Sequence, residues 1–242
     1  MKFAKLKNRG HVSVTGEDAE TFLQNIISND IKKLERTSEQ NCLHACLLTA
    51  QGKYLHDFYV SKIEGGFVLE CEGFDRTEDL AKRLNLYKLR AKISITTTDH
   101  VTIYASAPTL RTTSRPTGNE ISFEEWDIER IKNAQPDGSR DAEIGTSTLA
   151  ELNLDECAVS YTKGCYIGQE LVARMHNRNL GKKHLVAARF KSLPPAWDVE
   201  IEGIGFMRSS CKNYGLILVN RETETKLKEA QTDDSEIYLL GL

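Results

Sequence analysis

A cysteine between two glycines, with a lysine two residues before it, stands in the most informative segment of the sequence. Residues 163–174 read K-G-C-Y-I-G-Q-E-L-V-A-R. The thiolate is the reactive and metal-binding form of cysteine, and a nearby cation or helix N-terminus favours that form. Lys163 provides a cation, and the segment from Gly168 onward is expected to begin a helix whose positive end faces the thiol. The pattern therefore predicts a reactive thiol at Cys165.

An ordinary structural interpretation of the same residues stays open at this point. A cysteine is often a small buried hydrophobe, and glycines commonly serve turns. Glu170 and Arg174 stand four residues apart, a spacing that gives a solvated helix pair worth about 0.2–0.5 kcal/mol. All these features fall within twelve residues, and this concentration favours the functional interpretation.

Composition limits the classes of protein that the chain can represent. Its 242 residues are 40% hydrophobic and 28% charged, which is typical of a globular chain with room for two or three small domains. A net charge of −3 argues against nucleic acid as a direct partner. There is no apolar run of the roughly 20 residues that a membrane span needs. The first residues do not resemble a secretory signal, so a cytoplasmic location is expected.

The cysteines do not have the spacing of a metal site. None of the six forms a C-x-x-C pair, and no metal site is predicted. Cys42 and Cys46 lie in an apolar run and are expected in the core. A chain of this size without a signal is expected to keep its cysteines reduced.

Hydrophobic periodicity predicts a mixture of strands and helices. Residues 11–15 alternate as a strand does, and the following residues carry an apolar stripe at helical spacing. Further elements are expected at 43–49, 54–60 and 66–71 (strands), 75–89 (helix), 92–96 and 101–105 (strands), 149–154 (short helix), and 186–190, 199–204 and 216–219 (strands). A linker is expected between 108 and 119, and a small all-β unit after Gly181. The absence of a steady βαβ rhythm favours the α+β class.

Residues 163–174 also resemble the signature of the YgfZ-type proteins, relatives of the glycine-cleavage T-protein (aminomethyltransferase). The mitochondrial iron–sulfur assembly factor of this family carries the same signature. The similarity extends to V-x-V-T-G-E-D-A-E-T-F-L-Q at 12–24, S-N-D at 28–30, L-L-T-A-Q-G-K at 47–53 and L-Y-K-L-R at 86–90. It covers most of residues 10–190, and the C-terminal unit matches loosely.

This resemblance implies a multi-domain, aminomethyltransferase-like, folate-binding α+β fold with a small C-terminal β-barrel. The expected parts are an N-terminal α+β folate-binding part (1–95), a second α+β part that ends in the signature (96–182) and the barrel (183–242). The implied function is a folate-binding accessory factor for assembly or repair of iron–sulfur proteins, with an effect on tRNA modification through cluster-containing enzymes. Tetrahydrofolate or a derivative is the implied cofactor, and iron–sulfur client or assembly proteins are the implied partners.

The resemblance also assigns roles to individual residues. Cys165 and Lys163 are the expected reactive pair, with Cys165 touching substrate or cluster and Lys163 favouring its ionised form or holding an anion. Trp126 stands ten residues before Pro136, as does a tryptophan that lines the family's folate pocket. The expected cofactor-binding residues are Trp126, Tyr166, Gln169, Glu170, Arg174, Asp57 and Asn29.

Three departures from the family pattern argue against aminomethyltransferase activity. A second folate-lining tryptophan of some relatives falls near Arg9. The glutamate that holds the pterin in aminomethyltransferases falls at Lys132, and a cation cannot accept the N–H groups of a pterin. Their catalytic Asp-Asp pair aligns with His56 and Asp57, which leaves one carboxylate.

Two other functions remain open from the sequence. One is a tetrahydrofolate-dependent, aminomethyltransferase-like one-carbon transferase with Asp57 as its acid/base. The other is a thiol redox or scaffold protein that binds no folate and has a readily alkylated Cys165. The basic stretch from Arg174 to His184 fits either an attraction for folate carboxylates or acidic partners, or a solvated surface.

Overall fold

Two β-sheets with helices packed against them form the framework of the protein. The computed structural model describes residues 2–36, 42–106, 110–178, 180–232 and 235–240. In this part of the chain, no helix combines the length and the apolar character needed to cross a membrane. The architecture is mixed α and β, which confirms the coarse fold class predicted from the sequence.

The first sheet has seven strands among the described residues, and β1 lies near its centre. The order is β2-β3-β4-β1-β5-β6, and β7 pairs in parallel with the first residues of β1. Its strands are β1 (Lys2–Thr15), β2 (Leu43–Leu48), β3 (Tyr54–Ile63), β4 (Gly66–Glu72), β5 (Ser94–Ser106), β6 (Leu110–Thr112) and β7 (Asn119–Ile121).

Helices cover one face of this sheet. Their bounds are α1 (Ala19–Ile26), α2 (Lys33–Arg36) and α3 (Phe74–Lys88). The apolar stripe predicted in α1 is confirmed, since Ala19, Phe22, Leu23 and Ile26 are all buried. They join a core with alternate residues of β1 and β4, such as Val12 and Leu69, because successive strand residues face opposite sides of a sheet.

The middle of the chain differs most from the sequence prediction. The expected linker instead carries β6 and begins β7, while its residues 108 and 109 lie outside the described part. Residues 149–154 form turns, not the expected helix. Helices α4 (Phe123–Lys132), α5 (Gly138–Asp141) and α6 (Gln169–Arg178) complete this part. A capping box between Ser122 and Glu125 starts α4, and such reciprocal bonds satisfy two otherwise unpaired donors.

The C-terminal part is a second sheet with one helix. The order is β12-β8-β11-β10-β9, and the elements are β8 (Lys183–Phe190), β9 (Glu200–Ile201), β10 (Gly205–Cys211), β11 (Tyr214–Asn220), α7 (Arg221–Ala230) and β12 (Ile237–Leu239). The all-β prediction is therefore wrong at α7. Within residues 183–232 and 235–240, β9 and β12 do not pair, so closure into a barrel stays a prediction.

One hydrophobic cluster joins the two sheets. It contains Leu48 and Tyr54 of the first sheet, Leu185 and Leu216 of the second, and residues from the segment between them. Shared burial of this kind resists relative motion of the sheets. The proposed division at 95/96 and 182/183 stays a prediction, and β5 runs through the first of these boundaries.

The signature segment docks onto the β2–β3 hairpin through two glycines. Gly52 and Gly168 both have positive φ, +75° and +80°. A Cβ atom on Gly168 would lie 2.5 Å from the carbonyl oxygen of Thr49 and 2.8 Å from the Cα of Gly52. Residues with side chains fit neither this backbone conformation nor this contact. Two segments singled out from the sequence, 47–53 and 163–174, therefore meet directly.

This contact predicts that Gly168→Ala destabilises the protein by about 2–4 kcal/mol, from left-handed backbone strain and the collision with backbone atoms. Gly164→Ala is a matched control in the same segment, because no atom beyond its two chain neighbours lies within 4 Å of its added methyl group. Urea unfolding followed by circular dichroism measures both values. Equal stability of the two variants would contradict the proposed docking.

Candidate functional site

A cleft lies on the face of the first sheet opposite α1. Its larger part has a volume of about 550 Å³ and is lined by residues that include His11, Tyr59, Glu70 and Arg111. A smaller adjoining cavity shares Tyr59 and Arg111 with it. The smaller cavity is also lined by Arg9, Asp57, Trp126, Arg130 and residues 135–138. These two cavities together are called the cleft below.

An arginine between two aromatic rings marks the junction of the two cavities. The guanidinium carbon of Arg111, from β6, lies 4.3 Å from the ring centroid of Tyr59 and 5.5 Å from that of Trp126. Helix α4 brings Trp126 to this position, where the residue is buried. Contacts of a cation with the faces of aromatic rings are attractive, and more so where water is excluded. The arrangement gives the cleft aromatic surface and positive charge side by side.

A buried carboxylate balances this charge. Glu70 of β4 accepts a hydrogen bond from Arg9 of β1, and its second oxygen lies 3.9 Å from Nε of Arg111. Arg9 lines the same small cavity as Trp126. Its charge is balanced by Glu70.

Asp57 is one of two aspartates that line the smaller cavity. The Tyr54 hydroxyl donates to its Oδ1 at 2.7 Å, and Nε2 of His44 lies 2.8 Å from its Oδ2. Burial alone would raise the pKa of Asp57, but the hydrogen bond and charge of His44, with help from Tyr54, hold this pKa below its usual value. Asp57 is therefore ionised at neutral pH.

Gly138 at the start of α5 approaches this carboxylate closely. A Cβ atom at Gly138 would lie 1.9 Å from the Tyr54 hydroxyl oxygen and 2.1 Å from Oδ1 of Asp57. Any side chain here would displace the pair, so only glycine allows the α5 backbone to form this wall of the cleft.

His56 points away from the cleft. Its Nε2 lies 2.7 Å from Oδ2 of Asp79 on α3, as expected for neighbouring residues on a strand. Burial, then the charge of Arg76, lowers the pKa of His56 to about 4. Of the two residues aligned with the catalytic pair of the aminomethyltransferases, only Asp57 lines the cleft.

The ammonium of Lys163 forms hydrogen bonds with backbone carbonyl groups. Its Nζ donates to the carbonyl oxygens of Gln24, Ile27 and Asn29, at 2.6, 2.8 and 2.9 Å. These groups belong to the last turn of α1 and the residues after it. A helix C-terminus carries unpaired carbonyls and partial negative charge, so a cation there is stabilising. Burial, the largest effect, lowers the pKa of Lys163 to about 8.

Cys165 lies beyond this anchored lysine and is exposed. It stands four residues before the first residue of α6, which begins at Gln169 as the sequence predicted. Tyr166 is buried next to it, and its ring centroid lies 5.2 Å from Nζ of Lys163. The lining residues of the cleft do not include Cys165. The expected influence of Lys163 on this thiol stays a prediction.

Three further site residues expected from the signature lie on α6. Gln169 is half-buried, while Glu170 and Arg174 are exposed and form an ion pair with each other. Exposed pairs of this kind contribute little to stability. Their expected folate contacts stay predictions, and none of the three residues lines the cleft.

Asn29 and Lys132 also lie outside the lining of the cleft. The Asn29 amide donates to the carbonyl oxygens of His44 and Cys157, so this residue joins two segments of backbone. Lys132 contacts Glu129 and the ring of Tyr214. The structure thus brings Asp57 and Trp126 together, while the other expected site residues gather around the signature.

Sequence reasoning missed Tyr59, Glu70 and Arg111 as cleft residues. Tyr59 follows Asp57 by two positions on β3, the spacing of residues on one face, and this was a usable signal. Arg111 lies in the segment interpreted as a linker, so its placement depends on the unpredicted strand β6. Among the described residues, no three His, Cys, Asp or Glu side chains are grouped to hold a metal ion.

The contacts of Lys163 generate a prediction about stability. Lys163→Met leaves three carbonyls without their donor and should lower the free energy of unfolding by about 2–3 kcal/mol at pH 7. The folded-state pKa lies below the unfolded value, so the unfolded chain binds more protons between pH 8 and about 10. Wild-type stability therefore gains about 1–2 kcal/mol relative to the variant at pH 9.5.

Urea unfolding at the two pH values measures this difference. Lys82→Met, at an exposed position of α3, is the control and should change stability by less than about 0.5 kcal/mol. A stability difference that shrinks between pH 7 and 9.5 would mean that folding raises the pKa of Lys163, which contradicts the lowering expected from burial.

Comparison with curated proteins gives a consistent set of relatives. An "Iron-sulfur cluster assembly factor IBA57 homolog, mitochondrial" of Mycosarcoma maydis is 28% identical over 232 residues, which cover 78% of this chain and 57% of the relative. Mouse IBA57 is 25% identical, with 96% and 81% covered, and human IBA57 is 26% identical, with 89% and 76% covered. The chain spans little more than half the length of the fungal relatives. No family model matches the sequence.

Comparison with solved structures defines the fold. The crystal structure of glycine cleavage system aminomethyltransferase T from Bartonella henselae matches with a TM-score of 0.70 over 98% of this chain and 81% of that one. The sequence identity is 11%, so this similarity is one of fold. The cytoplasmic location expected from the sequence is wrong, because the relatives are named as mitochondrial proteins. The family resemblance is confirmed: this chain is related to the IBA57 proteins and has the fold of the glycine-cleavage aminomethyltransferase.

Proposed function

We propose that this protein is a mitochondrial, folate-binding accessory factor for the assembly or repair of iron–sulfur cluster proteins. The observation that carries the proposal is the exposed Cys165, on a segment fixed by Lys163 and Gly168, in a chain related to named iron–sulfur assembly factors. Any influence on tRNA modification follows through cluster-containing enzymes that depend on this factor.

Cys165 is the proposed contact with the iron–sulfur cluster. The cluster is passed on to another protein and is not a resident cofactor. Thiolates are the usual ligands of iron–sulfur clusters, and one cysteine satisfies only a fraction of a cluster's coordination. The remaining ligands must then come from a client or assembly protein. An exposed thiol on a rigid support suits such sharing, because a partner reaches it without unfolding the segment and little ordering entropy is lost on binding.

The cleft is the proposed folate site. The larger cavity of the cleft has a volume of about 550 Å³, which falls in the range of small-molecule pockets. Trp126 offers an aromatic surface to a flat pterin, and Asp57 and Glu70 provide oxygens that accept N–H groups. Arg111 provides the forked donor that suits a folate carboxylate. The residues present therefore fit a folate, although the glutamate of the aminomethyltransferases is replaced by Lys132.

The alternative is a tetrahydrofolate-dependent one-carbon transferase. Asp57 favours it, because a buried, ionised carboxylate in a cleft is suited to proton transfer. Against it, both oxygens of Asp57 already accept from Tyr54 and His44, and its neighbour His56 faces α3. We therefore favour binding over turnover, and a turnover assay with an aminomethyl donor separates the two.

Folate binding in the cleft predicts saturable quenching of Trp126 emission by tetrahydrofolate. The titration is performed on Trp197→Phe protein, so that Trp126 is the emitting tryptophan. Arg111→Met should weaken binding about tenfold, which corresponds to about 1.4 kcal/mol. Arg189→Met, on the second sheet, is the control and should leave the titration unchanged. A lack of quenching at millimolar folate would remove the folate part of the proposal.

Cluster contact through Cys165 predicts a loss of function in cells. Cells that carry Cys165→Ala as their sole copy should lose iron–sulfur enzyme activity to the level of cells without the protein, at unchanged protein abundance. Cys211→Ala is the matched control, because this thiol lies on β10 and contacts the Glu124 carbonyl. Full enzyme activity with Cys165→Ala would sink the proposed role of this thiol.

A further inference from the structure

A second exposed thiol lies outside both the signature and the cleft. Cys157 belongs to the turns that precede the signature, and its residue is exposed. Its Sγ lies 3.7 Å from Nδ1 of His44 on β2, although 113 positions separate the two residues in sequence. A sulfur–nitrogen contact of this length and with these atom types is a hydrogen bond between thiol and imidazole.

His44 is held between this sulfur and a carboxylate. Its Nε2 lies 2.8 Å from Oδ2 of Asp57, so this nitrogen carries a proton, and Nδ1 faces Cys157. The ring stacks on Tyr59, with centroids 4.4 Å apart and an interplanar angle of 8°. Tyr54 in turn donates to the other oxygen of Asp57. The imidazole therefore has a fixed orientation, with one edge toward each partner.

The surroundings of His44 favour its protonated form, in which both ring nitrogens are donors. Burial, the largest effect, opposes the charged imidazole, but Tyr59, the Asp57 carboxylate and the Cys157 thiol outweigh it and raise the pKa of His44 well above its usual value. An imidazolium donates from Nδ1 as well as from Nε2. A donor at Nδ1 stabilises a sulfur atom that carries negative charge.

The backbone of Cys157 is fixed as well. The Asn29 amide donates to the carbonyl oxygens of both Cys157 and His44, at 3.3 and 2.9 Å. The next residue, Ala158, donates to the Leu154 carbonyl at 2.9 Å and accepts from the Ser28 hydroxyl at 2.6 Å. The distance between thiol and imidazole is thus set by bonds on both sides of the cysteine.

The charged and titratable groups around this pair act in both directions. Asp155 and Glu156 directly precede Cys157 in the same turn, and their carboxylates disfavour a further negative charge on its sulfur. The groups that face His44 or its partners are Asp57, Tyr54 and Tyr59 of β3, Cys42 just before β2, Arg9 of β1, Arg111 of β6 and Lys33 of α2. Compared with all these groups, the His44 imidazolium lies closest to the Cys157 sulfur, because it contacts this atom directly.

We propose that Cys157, His44 and Asp57 form a nucleophilic triad whose thiolate reacts with small disulfides. The Cys157 sulfur forms a bond to one sulfur of the disulfide and the original S–S bond breaks. The second sulfur leaves with the electron pair of that bond and takes a proton from water. Cys157 becomes oxidised to a mixed disulfide as the leaving sulfur is reduced to a thiol. This chemistry uses neither folate nor the thiol of Cys165, although Asp57 also lines the cleft.

The test uses 4,4′-dithiodipyridine, a small disulfide whose released thione is followed by absorbance at acid pH. In a Cys211→Ser background, Cys165→Ser protein reports on Cys157, and Cys157→Ser protein reports on Cys165. At pH 6 a thiol with an ordinary pKa is only about 0.3% ionised. We expect the Cys157 protein to react at least about tenfold faster at pH 6 than the Cys165 protein, with mass spectrometry placing the adduct on Cys157.

Two further measurements separate a triad from simple exposure. His44→Asn should reduce the rate at Cys157 about tenfold at pH 6 and leave the rate at Cys165 unchanged. If this variant does not fold, the pH profile of the Cys165→Ser protein decides. A rate at Cys157 that is nearly flat from pH 6 to 8 supports the triad. Equal rates for the two proteins at pH 6, each rising about tenfold per pH unit, would overturn it.

Discussion

The ammonium of Lys163 on the C-terminal end of α1 is the interaction on which both thiol regions depend. It joins the signature to the carbonyls of Gln24, Ile27 and Asn29. The side chain of Asn29 then holds the backbones of β2 and of the Cys157 turn. A buried charge without partners would be strongly destabilising, so the lysine and the loop fix each other. Cys165 can remain exposed without becoming mobile because its neighbour two residues earlier is anchored.

Asp57 connects regions that otherwise lie apart. One side of its carboxylate faces the cleft with Trp126, and its Oδ2 faces His44, which in turn contacts Cys157. In the low dielectric of the interior, a change of charge at one of these groups is felt strongly by the next. The cleft and the surface thiol of Cys157 thus share one buried carboxylate.

How much of this arrangement the sequence predicts depends on the range of the contacts. The stripe of α1, the strands at 43–49 and 54–60 and the start of α6 follow from local spacing, and all were predicted. Asp57 and Trp126 were assigned to one pocket through the family resemblance, and the structure brings them together. The contacts of Arg111 with Tyr59 and of Cys157 with His44 join distant segments. No local pattern specifies either contact. For Arg111 the strand β6 was also missed, because it lies in a stretch rich in turn residues.

Residues that are close together in the signature have separate roles in the structure. Lysine and cysteine stand two residues apart, which suggests a direct pair, yet the structure uses the ammonium to cap a helix. A helix C-terminus presents several carbonyls in a small volume, and a long side chain with three donors matches them better than a neutral group does. The glycines of the signature serve the backbone, as the left-handed Gly168 against Gly52 shows. What remains for chemistry in this segment is the sulfur of Cys165, because the groups around it are already committed to holding the loop.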